Sequence, residues 1–214
     1  MMRRTAIGLT EGASQGSSSG AVVIEQVTGW SQRARLLHWF SALAVAAQLL
    51  IGFFLLGGAA MLTSPWLAVH LSLGLAILSL TFVRLGGRLL ESAPKHVGPR
   101  AFEILAALGH FGLYALLILA PLTGWLAHRP APFQTPPRLL GVFPMPVIAG
   151  LSPIAPRTML TIHSLGSWAL LALIGLHVAA ALVHSMVLKD GVLQSMFFSA
   201  KRPAPPSHRS TSGA

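Results

Sequence analysis

Four stretches of the chain are apolar and long enough to cross a lipid bilayer, and this feature restricts the fold more than any other. They cover approximately residues 35–57, 66–85, 104–127 and 160–187. A helix needs about 20 mainly apolar residues to cross the hydrocarbon layer. Only 9% of the residues are charged, whereas typical soluble domains have about 25%. The sequence therefore predicts an all-α fold, an integral membrane four-helix bundle.

The segments outside the four spans are predicted to be tails and connections. The connection before the fourth span, about residues 128–159, is apolar but rich in proline. Proline interrupts helices, so we expect this connection to cap the bundle at the membrane interface and not to form a fifth span. Residues 30–195 are predicted to form the membrane domain, with disordered tails at 1–29 and 196–214. Residues 1–29 show no apolar core of the ~7–15 residues that a secretory signal needs, so we expect no signal peptide.

The positions of Lys and Arg predict the orientation in the membrane, because short cytoplasmic segments carry an excess of both. One side would carry Arg3, Arg4, Arg33, Arg35, Arg84, Arg88, Lys95, Arg100, Lys189, Lys201, Arg202 and Arg209, and the other Arg129, Arg138 and Arg157. Both termini are therefore expected in the cytoplasm. The net charge is +10, and the basic residues flank the apolar spans without forming a single patch. We therefore expect contact with membrane lipid and no nucleic-acid partner.

Every span contains at least one histidine. These residues are His38, His70, His110, His163, His177 and His184. Polar groups at membrane depth are costly and indicate function by default, although a single histidine can also hydrogen-bond between helices or lie at the headgroups. The chain has no cysteine, which excludes thiolate metal sites, iron–sulfur clusters and covalently attached c-type haem. Imidazole is therefore the main metal ligand available.

The depths of four histidines match in pairs. His163 and His177 are fourteen residues apart, which corresponds to roughly 21 Å along a helix, and they lie within about 40° of one face. If the first span ends near Leu56 and the second begins near Trp66, His38 and His70 also differ in depth by about 21 Å. We therefore expect His70 to lie level with His163 near the outer face. His38 and His177 would lie level near the inner face.

Two facing imidazoles at each depth fit a haem b group, which needs no covalent attachment and suits an apolar bundle. The spacing thus predicts two haem b groups whose iron ligands are the pairs His38/His177 and His70/His163. Zinc fits less well, because its sites use three or four protein ligands. His184 is an alternative partner for His38, but this pairing would stretch the spacing on the fourth helix to about 31 Å. The spacing favours His177.

Three further residues are candidates for cofactor or substrate contacts. Arg35 lies one turn before His38, where it suits a haem propionate. His110 and His184 are candidates for quinone or propionate contacts, and the alternative for His184 is a headgroup-level position. Arg84 and Arg88 fit either propionate contacts or anchoring of the second helix. Glycines within the spans suit close approach of a macrocycle or ordinary helix packing; they are Gly52, Gly74, Gly112, Gly124, Gly166 and Gly175.

From about Ser31 to Asp190, the chain resembles the bacterial cytochrome b561 family. The resemblance rests on "RLLHW", "HLSLG", "LGHFGLYALL" and above all "IHSLGSWALLALIGLHVAAALVH" followed by "KDG". The four haem ligands of the family correspond to His38, His70, His163 and His177. His110 matches a family position that is not a ligand. The family has a second histidine directly after the position of His184, where this chain has Ser185.

The resemblance implies a multi-pass protein of the bacterial inner membrane that transfers electrons between a quinone such as ubiquinone and a second donor or acceptor. Some members resemble superoxide oxidases, which pass electrons from superoxide to ubiquinone. The outer side of this chain offers His128, Arg129, Arg138 and Arg157 and no carboxylate, which suits superoxide or an acidic periplasmic redox protein. A superoxide:ubiquinone oxidoreductase and a divalent-metal carrier therefore stay open as alternatives. No catalytic residue is assigned.

Overall fold

The computed structural model of the protein describes residues 30–56, 65–90, 100–128, 138–139, 141–148 and 152–197. The predicted N-terminal tail lies outside these ranges, as does the predicted C-terminal tail from residue 198 onward. Most of the first two connections between spans also lie outside them.

Four long helices make up most of the described chain. They are α1 (Gln32–Leu50), α2 (Pro65–Leu90), α3 (Arg100–Ala127) and α4 (Pro156–Val183). α1 continues through a π-helical turn, Ile51–Leu55, and α4 continues through another, His184–Leu188. All four are long and apolar enough to cross a membrane, which confirms the predicted all-α membrane bundle. α2 and α3 extend past their apolar stretches at the ends that carry arginine, because long basic side chains can reach the headgroups from inside the membrane edge.

The helices pack as a chain of neighbours, α1 on α2, α2 on α3 and α3 on α4. Val45, Ile77 and Leu170 form the buried centre. Large apolar side chains such as Phe54 and Phe111 are exposed on the outside of the bundle, as expected where lipid is the solvent. In the described residues, α1 and α4 approach each other far less closely than the neighbouring helices do. The facing histidines of these two helices lie across this separation.

The proline-rich connection forms no fifth helix in its described part. It contains two short antiparallel strands, β1 (Arg138–Leu139) and β2 (Phe143–Pro144). Gly141 turns the chain between them with a φ of 75°. Trp125 Nε1 at the end of α3 donates to the Pro146 carbonyl at 2.8 Å, and Met145 is buried. The connection therefore covers the end of the bundle, and the sequence pattern did not predict its strands.

A short helix, α5 (Val192–Phe197), follows α4 after a reversal at Lys189 and Gly191, both with positive φ. Trp39 Nε1 on α1 donates to the Met196 carbonyl at 3.1 Å, and the Trp39 and Phe197 rings are 4.7 Å apart. These contacts hold α5 against the start of α1. The predicted domain end at residue 195 falls inside this helix, because its contacts with α1 are tertiary and leave no sequence pattern.

Candidate functional site

The structure brings His70 on α2 and His163 on α4 together. Their ring centroids are 6.1 Å apart and the ring planes are nearly perpendicular, at 87°. Both side chains are partly buried. They lie at the end of the bundle covered by the proline-rich connection, because Met145 lines the same cavity as both rings. We call this arrangement the outer pair, after the depth predicted for it from the sequence.

His38 on α1 and His177 on α4 form a second pair at the opposite end of the bundle. Their ring centroids are 6.3 Å apart, with an angle of 61° between the ring planes. We call this arrangement the inner pair. α4 thus contributes one histidine to each pair.

The two separations fit an iron atom bound between the rings. A metal–imidazole bond is about 2 Å long, and the ring centroid lies about 1.1 Å beyond the nitrogen, so two imidazoles bound on opposite sides of one metal ion would place their centroids about 6.2 Å apart. The observed values are 6.1 and 6.3 Å. Within the described residues, no three His, Asp or Glu side chains converge as a closed metal site requires. The geometry suits a cofactor that brings its own equatorial ligands, as haem does.

A backbone carbonyl orients His163. Nδ1 of His163 lies 2.8 Å from the Ala120 carbonyl of α3. A carbonyl oxygen only accepts, so Nδ1 carries the hydrogen and the Nε2 lone pair is free. The same carbonyl also accepts from Thr123 Oγ1 at 2.9 Å. Metal-binding histidines usually donate their second ring N–H in this way, which fixes the ring and raises its basicity.

Two glycines leave room for the rings of the outer pair. A Cβ atom at Gly124 would lie 3.0 Å from Nδ1 and Cε1 of His163, and one at Gly52 would lie 3.1 Å from Cε1 of His70. Both distances are shorter than ordinary van der Waals contact. Among the other span glycines, Gly166 and Gly175 have no atom within 4 Å of such a Cβ. The close approach of the imidazole rings therefore explains why positions 52 and 124 are glycine.

Further polar groups surround the inner pair. The His110 ring is 5.6 Å from His177, and its Nδ1 donates to the Ala106 carbonyl at 2.7 Å. Arg84 Nη2 donates to His38 Nδ1 at 3.1 Å, and its guanidinium lies over the Tyr114 ring. Arginine only donates hydrogen bonds, so His38 Nδ1 accepts here and Nε2 carries the hydrogen. Binding of iron through Nε2 of His38 therefore requires Arg84 to release Nδ1.

The predicted propionate residue Arg35 is buried at the start of α1. Its Nη1 donates to the Phe197 carbonyl at 3.4 Å, so it takes part in holding α5. Its propionate role stays a prediction. Arg84 directly contacts His38 of the inner pair, and Arg88 lies over the Trp30 ring.

His184 belongs to neither pair and contacts Asp190, a residue that the sequence did not single out. Its Nδ1 lies 2.5 Å from Asp190 Oδ2, and its ring is 6.4 Å from that of Phe102. Asp190 Oδ1 also accepts from the Val192 backbone N–H at 3.1 Å. Partial burial would raise the pKa of Asp190, but these hydrogen bonds together hold it below its usual value. Asp190 is the only carboxylate in the fourth-span motif, where it lies in "KDG", and this feature of the sequence could have indicated it.

Gln48 on α1 was also missed. Its Nε2 donates to the His70 carbonyl at 3.0 Å. It lines a cavity of about 30 Å³ together with His70, His163, Trp125 and Met145. An amide side chain in an otherwise apolar span is itself a functional signal.

The predicted basic groups of the outer side are described in part. Arg138 on β1 and Arg157 in the first turn of α4 are exposed. His128 follows α3, and burial lowers its pKa. Arg129 lies outside the described residues.

Comparison with known proteins identifies the family. The family model described as prokaryotic cytochrome b561 matches residues 29–199, a range that includes all four long helices and both histidine pairs. None of the curated proteins matches the chain. Because the match extends over most of the sequence, the chain belongs to the prokaryotic cytochrome b561 family.

Proposed function

We propose that this protein carries electrons across the bacterial inner membrane through two haem b groups and exchanges them with the quinone pool. The family suggests transmembrane electron transfer and implies haem b. The observation that carries the proposal is the presence of two histidine pairs, with centroids 6.1 and 6.3 Å apart. Each separation matches that of two imidazoles on one iron.

Each pair would hold one haem. His70 and His163 would hold the iron of the outer group, and His38 and His177 that of the inner group. When bound, the iron supplies a one-electron couple between its ferric and ferrous states. The separation of fourteen residues from His163 to His177 corresponds to about 21 Å of helix, against a hydrocarbon layer of about 30 Å. The two groups would therefore serve opposite halves of the membrane.

The quinone would bind at the inner side, where His110 and His184 are the candidate contacts. Reduction of a quinone to a quinol takes two electrons and two protons, so its site needs a proton donor as well as an electron source. Asp190 Oδ2 contacts Nδ1 of His184. A carboxylate–imidazole pair of this kind suits general acid–base chemistry. The predicted cytoplasmic position of both termini would place this pair on the side that supplies protons.

The haem content of single histidine variants tests the proposal. The purified protein should carry two haem b groups per chain, measured by the pyridine haemochrome assay and by iron analysis. His163→Ala and His38→Ala should each remove one group, because each leaves a single protein ligand. His128→Ala is the matched control and should keep both. A protein without haem, or one that keeps both haems in both ligand variants, would refute the assignment.

A superoxide:ubiquinone oxidoreductase is the second candidate function. The exposed arginines Arg138 on β1 and Arg157 at the start of α4 favour it, because exposed basic groups attract a small anion. Purified protein should then be reduced by superoxide and reoxidised by ubiquinone without a second protein. If superoxide fails to reduce it while a redox partner protein succeeds, the chain is an electron carrier alone.

A further inference from the structure

The two histidines of the outer pair differ in their hydrogen bonding. Nδ1 of His163 donates to the Ala120 carbonyl. Nδ1 of His70 is buried and, within the described residues, makes no hydrogen bond. A buried polar atom without a hydrogen-bond partner destabilises the folded state. Nδ1 of His70 therefore needs a hydrogen-bond acceptor, as Nδ1 of His163 has in the Ala120 carbonyl.

Gln48 has an unused acceptor beside the same histidine. Its Nε2 donates to the His70 carbonyl at 3.0 Å, and since a carbonyl only accepts, this bond fixes which end of the amide faces it. The Oε1 atom is consequently directed elsewhere. It is buried and has no hydrogen-bond partner in the part of the chain that the structure describes.

Both unsatisfied groups belong to residues that line one cavity of about 30 Å³. A cavity needs roughly 10–15 Å³ to accommodate one water molecule. Gly52 leaves space on the Nδ1 side of the His70 ring, because a Cβ there would lie 3.6 Å from Nδ1 and 3.1 Å from Cε1. The ring therefore has room to turn Nδ1 toward an acceptor.

We propose that Gln48 is the positioning residue of His70, whose Nδ1–H donates to Gln48 Oε1 directly or through one water. This contact fixes the hydrogen on Nδ1 and leaves Nε2 free toward His163. The inference rests on the proposed function, since it concerns the ligand of the outer haem. A Gln48 that merely joins α1 to α2 would need only its bond to the His70 carbonyl, and that role predicts no effect on the haem itself.

The midpoint potential of the outer haem separates the two roles. Loss of an acceptor for Nδ1–H makes an imidazole a poorer donor to iron, which favours the ferrous state. Gln48→Met should therefore raise the outer potential and leave the inner potential unchanged. Gln48→Glu keeps an oxygen acceptor and should return the outer potential to the wild-type value or below it. Ser79→Ala on the exposed face of α2 is the control and should shift neither.

Redox titration of the full-length protein in detergent, followed by absorbance, gives both potentials. The outer haem is identified as the one missing from His163→Ala. If Gln48→Met loses the outer haem altogether, recovery of haem content by Gln48→Glu supports the proposal and lack of recovery overturns it. An unchanged outer potential in Gln48→Met also overturns it. A wild-type protein with no haem refutes the proposed function. A wild-type protein with two haems, together with an unaltered outer potential in Gln48→Met, refutes this inference alone.

Discussion

Replacement of Gly124 by alanine should weaken the outer haem site selectively. The new Cβ would lie 3.0 Å from Nδ1 and Cε1 of His163, where ordinary contact begins at 3.4 Å. The ring must then retreat by about 0.4 Å. A retreat of that size lengthens the 2.8 Å bond from Nδ1 to the Ala120 carbonyl to about 3.2 Å, the long end of the range for such bonds.

The expected magnitude follows from these distances. A hydrogen bond of this kind contributes about 1 kcal/mol, part of which is lost when it lengthens, and disturbance of an outer-shell contact to a metal-binding histidine typically lowers metal affinity 10–100-fold. Alanine is favoured over glycine in a helix by about 1 kcal/mol, so the helix itself should not be weakened. We therefore expect Gly124→Ala to reduce the affinity for the outer haem about 10–100-fold, while the inner haem stays bound.

Titration of haem into the haem-free protein, followed by the Soret absorbance, measures this affinity. Gly109→Ala is the matched control, because it lies on the same helix α3 and its Cβ would have no atom within 4 Å. The control should bind both haems as the wild type does. Equal outer-haem affinity in the two variants would refute the claim that Gly124 makes room for His163.

Two further predictions concern the inner end of the bundle. Arg84→Gln should lower the midpoint potential of the inner haem in a redox titration, because a nearby positive charge disfavours ferric iron; an unchanged potential would contradict a position of Arg84 beside that haem. The contacts of Asp190 lower its pKa from the ordinary carboxyl value of 3.8. They therefore stabilise the fold fully at a pH above 3.8, and this stabilisation is lost as the pH falls from 3.8 through the lowered pKa. The protection of α5 amides against hydrogen exchange, relative to an unfolded chain at the same pH, should therefore fall at acid pH in the wild type and be low already at neutral pH in Asp190→Asn. Equally high protection in both proteins would show that Asp190 does not hold α5.

The four membrane helices could be predicted because length and apolarity suffice to identify a span. Their ends could not be placed as well, because α2 and α3 include arginines that the apolar pattern excludes. The strands β1 and β2 and the helix α5 were missed for another reason. Trp125 contacts the connection just after β2, and Trp39 contacts α5. A local sequence pattern carries no information about such distant contacts.

The candidate site shows the same division. The separation of residues along a helix gives depth, so the sequence indicated which histidines lie at the same height. It could not reveal which neighbours face each ring, because that depends on how the helices rotate against one another. Gln48, the Ala120 carbonyl and the contact of Gly124 with His163 all belong to this second kind of information.

The contribution of α4 to both histidine pairs has a consequence for biogenesis. α4 leaves the ribosome after the other three long helices, so a nascent chain that has inserted α1 and α2 holds only one half of each pair. Neither haem could acquire both of its proposed ligands until His163 and His177 have entered the bilayer. Cofactor loading would thereby report that synthesis and insertion of the spanning region have reached completion.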